Sequence, residues 1–139
     1  MRFHGKVYKD GRFWLAEVPI LHAMTQGRTR TEALAMAKDL LETLVNRPGF
    51  AVDVYPRQNG KFEVSASDMR SLIGLLLRRQ REQSGLSLAE AAERLGAKSR
   101  NAYARYERGT SVPSVEKLSE LLQAVAPGQD FVLEQSAVG

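Results

Sequence analysis

The sequence predicts a two-part chain, an α+β N-terminal part over residues 1–66 and an all-α C-terminal part over residues 67–139. Three observations carry this. β-rich runs flank a single amphipathic stretch in the first part, which predicts a small antiparallel sheet with one helix. From Met69 to Ala126 the apolar spacing is helical throughout. The positive charge is also unevenly placed: Lys and Arg number ten against eight Asp and Glu in residues 1–68, nine against four in 69–109, and one against four in 110–139. The net +4 of the chain is therefore concentrated in 69–109, as a nucleic-acid binder requires.

Taken in order, residues 3–8 and 13–18 are strand-like runs hinged on Asp10-Gly11, a dipeptide that favours a tight hairpin turn. "HAMTQGRT" is a candidate third strand. Thr29-Arg30-Thr31-Glu32 has the form of a capping box, with Thr29 as N-cap and Glu32 at the third helical position. Ala33, Ala37, Leu40, Leu41 and Leu44 then share one helical face, and Pro48-Gly49 ends the helix. "FAVDVYP" and "GKFEVSAS" read as two further strands around Asn59-Gly60, and the boundary between the parts falls near 66–68.

The second part predicts four helices. The first covers 69–83 and stops at Ser84-Gly85; the second covers 88–95, with Ser87 as N-cap and Gly96 as terminator. The third spans about 99–108 and stops at Gly109, and the fourth runs over 115–126 with Leu118, Leu121, Leu122 and Val125 on one side. The tail "GQDFVLEQSAVG" reads as a brief strand or a frayed end.

Several functions find little support. The chain has no cysteine, which excludes a disulfide framework and thiolate metal sites and fits a reducing compartment. No signal peptide opens it, and "SLIGLLL" is far short of a membrane span, so a cytoplasmic protein without membrane partners is expected. His4 and His22 have no second ligand at metal-binding spacing. Of the carboxylates, only Glu17, Asp53 and Glu63 fall in expected strands, and no pair shares a close same-face spacing. No phosphate loop or nucleophile motif is present. The expectation is a non-enzyme with no metal and no cofactor.

"SRNAYARYERG", residues 99–109, is the most informative stretch. Arg100, Asn101 and Arg105 share the exposed N-terminal side of its helix, while Tyr103 and Tyr106 can face inward. Arg and Asn are the side chains that read guanine and adenine edges bidentately in the major groove. Ala91 and Ala92 are small enough for two helices to approach closely just before it.

Together with Gly85-Leu86-Ser87, Ala92, Leu95-Gly96, Tyr106-Glu107-Arg108-Gly109, Pro113-Ser114 and Leu118, this stretch resembles the lambda-repressor/Cro-type (XRE) helix-turn-helix family. The resemblance implies binding to double-stranded operator DNA through Lys98, Ser99, Arg100, Asn101, Arg105 and Arg108. It also implies a structural ion pair between Arg81 and Glu107, and a homodimer or higher homo-oligomer.

The first part resembles the HicB antitoxin domain, a degenerate ribonuclease H-like fold, through Asp10-Gly11, Phe13, Pro19, Thr25, Gly27, Thr29 and Glu32-Ala33-Leu34 in that order. The combination implies a type II antitoxin. Residues 1–66 would bind and neutralise a small HicA-like mRNA-cleaving toxin, and residues 67–139 would repress the operon. Two other readings are weighed against it. One is a stand-alone helix-turn-helix regulator with a ligand-sensing or oligomerising N-terminal domain; the other is a metal-dependent nuclease keeping the ribonuclease H-like fold.

Overall fold

The computed structural model describes residues 1–137. Strands β1 (Phe3–Asp10) and β2 (Phe13–Val18) form the first hairpin, with Asp10 opposite Phe13. Its central residues are Gly11 and Arg12, one position later than the Asp10-Gly11 reading. Gly11 takes φ +62°, the glycine-first form of the two-residue hairpin turn. A 3-10 turn over Pro19–Leu21 leads into β3 (Ala23–Gly27), which pairs with β2.

Thr29 accepts a hydrogen bond from the Glu32 amide at 3.0 Å and opens α1 (Arg30–Val45). The helix ends before Pro48-Gly49, because Asn46 adopts the left-handed conformation at φ 51° and donates its N–H to the Glu42 carbonyl. β4 (Val52–Pro56) and β5 (Lys61–Ala66) close the first part. The sheet order is β3-β2-β1-β5-β4, and every neighbouring pair is antiparallel.

Helix α1 covers one face of this sheet. Its Ala33, Leu34, Ala37 and Leu41 are buried in one core with Val7, Ala16, Val18, Val52, Phe62 and Val64. A Cβ on Gly27 would stand 2.5 Å from the Ala33 amide nitrogen, so β3 and α1 meet backbone to backbone.

The second part contains α2 (Met69–Gln83), α3 (Leu88–Arg94), α4 (Arg100–Glu107) and α5 (Val115–Val125). Asp68, Ser87 and Ser114 cap α2, α3 and α5 with side-chain hydrogen bonds, and a reciprocal capping box forms between Ser87 and Glu90. Residues 129–137 of the tail adopt neither strand nor helix; the remainder of the expected tail element, Val138 and Gly139, lies outside the described residues.

Helix α2 joins the two parts. Residues 71–77 are all buried, along with Gln80, and a helix buried around its circumference must be packed on more than one side. One side meets α4 and α5; another meets the 3-10 turn, β5 and α1. Polar bonds follow the same division. Arg79 donates to the Leu21 and His22 carbonyls, Gln80 to the Ile20 carbonyl, and Arg78 to the Leu44 carbonyl. The buried side chains of both parts therefore belong to one continuous cluster. Among the described residues, no helix is long and apolar enough to cross a membrane.

The tail crosses the sheet face opposite α1. Ser136 donates to Glu63, which is only 4% exposed and is also paired with Arg2 at 2.9 Å and Arg57 at 3.7 Å. The Ser136 hydrogen bond, helped by the two arginines, holds the Glu63 carboxyl below its ordinary 4.5 against the opposing effect of burial. A carboxylate with a lowered folded pKa contributes stability above the unfolded value and loses it as pH falls through the folded value. The thermal midpoint should thus begin to fall below about pH 4.5. Glu63→Gln should flatten this acid limb in part, since Asp68 and Glu42 are lowered as well. An unchanged limb in a pH series of melting curves would assign acid sensitivity to the other carboxylates.

Candidate nucleic-acid interface

The interface is built on how α4 is seated. Tyr103 and Ala104 are buried against the rest of the helical part. α2 and α4 approach so closely that a Cβ on Gly74 would be 2.3 Å from the Glu107 carbonyl oxygen. Arg81 of α2 closes the contact with two parallel bonds: Nε donates to Glu107 at 2.6 Å and a terminal nitrogen donates at 3.0 Å. A third donor of Arg81 reaches the Leu86 carbonyl at 2.9 Å. This fork raises the guanidinium pKa above its ordinary value, first through the Glu107 hydrogen bond. Burial pushes the nearby Tyr103 hydroxyl well up, and that hydroxyl has no hydrogen-bond partner among the described residues.

Glu107, the acidic residue of α4, is thereby turned inward. The outward side is left to Arg100, Asn101 and Arg105, which are all exposed, and Lys98, Ser99 and Arg108 at the two ends are exposed as well. All six expected contact residues are therefore exposed on α4 and its flanks. Ser99 occupies the N-cap position but makes no side-chain cap bond, so the first turn of α4 has amide donors and a hydroxyl unused by the helix. An anion is favoured at such an end by the helix dipole.

The other end of α4 is stapled. The Arg105 carbonyl accepts from the Thr110 amide at 3.0 Å, its hydroxyl at 3.1 Å and the Ser111 amide at 3.3 Å. α3 meets α4 over Ala91 and Ala92, both buried, and Gly96 turns the chain between them at φ 68°. Arg94 of α3 donates to the Ala124 carbonyl of α5, which fixes the pair to the bundle.

Arg47 was not marked by any pattern in the sequence. It follows the end of α1, donates to the Arg108 carbonyl and to Ser71 Oγ at 2.6 Å, and lies 3.5 Å from Asp68. With Asn46, Arg78 and Arg108 it lines a cleft of about 300 Å³ beside the C-terminal end of α4. Its partners lie 24 and 61 positions away, so no local signal could have found it. The carboxylates Glu17, Asp53 and Glu63 do not assemble: among the described residues, no group of three His, Cys, Asp or Glu is placed to hold a metal ion.

An antiparallel sheet with a covering helix is thus joined through α2 to a helical bundle that displays the basic helix α4. Residues 77–125 match a helix-turn-helix family model (HTH_3), which spans the second half of α2 through α5. The match supports an XRE-type helix-turn-helix in the C-terminal part, a module that points to DNA binding and transcription regulation. No curated protein matches the chain.

Proposed function

We propose that the chain is the antitoxin of a type II toxin–antitoxin system, acting in the cytoplasm without catalysing a reaction. Its helix-turn-helix binds the operator of its own operon as a homodimer or higher homo-oligomer. Its sheet-and-helix part, read as a HicB-like, degenerate ribonuclease H-like domain, binds and neutralises a small HicA-like mRNA-cleaving toxin. The observation that carries the DNA half is α4, clamped by Arg81–Glu107 with Arg100, Asn101 and Arg105 exposed. Support for the toxin-binding half comes from its motif residues. Gly11 makes the hairpin turn, Pro19 opens the 3-10 turn, and Thr29 caps α1. Gly27 admits Ala33 at the β3–α1 junction.

A second reading has its own observation. An apolar cleft of about 360 Å³ between the parts, lined by Phe3, Ile20, Ile73, Leu76, Leu118 and Leu122, has the size and lining of a small-ligand site. It favours a regulator that senses a ligand through its N-terminal part. Co-expression with whatever small reading frame neighbours the gene separates the two. Co-purification of a toxic partner, whose toxicity the full-length chain relieves, supports the antitoxin. A chain that shifts its own promoter DNA in a gel while binding no neighbouring product supports the regulator.

A further inference from the structure

The two edges of the sheet are treated differently. Along a strand, successive residues direct their backbone groups to opposite sides. Val7 donates its N–H toward β5, to Gly60, at 2.8 Å, which sets the alternation for the sheet. Through the registers Val7↔Ala16 and Ala16↔Thr25, it turns Ala23, Thr25 and Gly27 of β3 toward β2 and leaves Met24 and Gln26 pointing off the edge. On the other side, Phe3↔Val64 and Asp53↔Ser65 leave Val52, Val54 and Pro56 pointing off β4.

The β4 edge is guarded at its two ends. The Val52 N–H donates to Glu42 at 2.9 Å, its carbonyl accepts from Lys38 at 2.9 Å, and Pro56 has no N–H to offer, so only Val54 between them keeps both backbone groups without a partner among the described residues. Charged side chains and proline are the usual means of blocking strand addition. β3 has neither. "AMTQG" carries no charge, and the backbone groups of Met24 and Gln26 have no hydrogen-bond partner among the described residues. Met24 is also 54% exposed beside an outer face that carries Tyr8 and Leu15, which are paired across β1 and β2.

We propose that β3 is a self-association edge, pairing antiparallel with β3 of a second copy to make one continuous ten-stranded sheet. The occupant follows from the edge itself. With Thr25 opposite the second copy's Thr25 on the two-fold axis, Met24 of each chain faces Gln26 of the other, and all four unpartnered backbone groups are used. Thr–Thr pairs are favourable across strands. An uncharged strand does not repel its copy. The pairing also continues the Tyr8–Leu15–Gln26 row with Met24 of the second copy. This deepens the DNA-binding reading and rests on it in one respect: a helix-turn-helix needs a symmetric partner to span two half-sites.

The test is sedimentation of the full chain without DNA, so that its failure is separable from failure to bind an operator. A mass twice the 15.4 kDa of one chain is expected. Gln26→Pro removes an outward N–H and leaves the β2–β3 ladder whole; it should halve that mass. Gln26→Lys, which places like charges close to the axis, should weaken the dimer at least tenfold. Val54→Pro, the matching change on the guarded edge, should leave it unchanged, and circular dichroism reports whether each variant is folded. A single-chain mass for the wild type, or a dimer that survives both folded Gln26 variants, overturns the pairing.

Discussion

Arg81→Met is expected to destabilise the protein by about 3 kcal/mol, because it leaves the Glu107 carboxylate buried without its partner. Both side chains are well enclosed, at 14% and 7% exposure, so solvent screens the pair little. A loss of that size lowers the thermal midpoint by roughly 10 °C in a chain of this length. Removing both charges should be milder than removing one, so Arg81→Met with Glu107→Leu should recover part of the loss. The comparison substitution is Arg70→Met, at an exposed position near the start of α2. Arg79 is unsuitable for this purpose, since it donates to two carbonyls of the first part and its loss has a cost of its own. Equal, small shifts for Arg81→Met and Arg70→Met would show that the fork contributes nothing to stability.

Asn101→Ala and Arg105→Ala should each weaken operator binding by about 1–3 kcal/mol, or roughly 5- to 150-fold, while changing affinity for random DNA far less. Base contacts specify and phosphate contacts position, so the two kinds of residue leave different signatures. Lys98→Ala, at the flank of α4, should weaken operator and random DNA alike and reduce the salt slope by about one. Neither substitution touches the buried side of α4, where Tyr103 and Ala104 are packed, so the fold should be preserved. Titrations of both DNAs at several salt concentrations decide the matter. Equal losses on operator and random DNA would reduce α4 to an electrostatic anchor.

The elements were legible because their signals are local. The Thr29 and Ser87 caps each span three residues, and the turns at Gly11 and at Asn59-Gly60 are set by the few residues that can take positive φ. The small errors are local too. Asn46 can adopt the same left-handed cap as glycine, and it stopped α1 before the proline could. The exposed side of α4 was readable for the same reason: a period of 3.6 residues places Asn101 and Arg105, four positions apart, on one face whatever surrounds them.

Charge placement, helical period and cap chemistry, all properties of neighbouring residues, determined that this chain has a strand-rich part, a helical part and a basic helix between Ser99 and Gly109. The tertiary structure alone decided how the parts are joined. Helix α2 is apolar over more than one face, which reads equally well as the core of a bundle or as a bridge. Only the fold shows the 3-10 turn, β5 and α1 against its other side, with Arg47, Arg78, Arg79 and Gln80 bonded to groups 24 to 61 positions away. The same holds for the sheet edges. Val52 is guarded by Lys38 and Glu42 from a helix earlier in the chain, while Met24 and Gln26 are left open. A strand's own sequence does not reveal which of its hydrogen bonds another element will occupy, because that is settled by long-range packing.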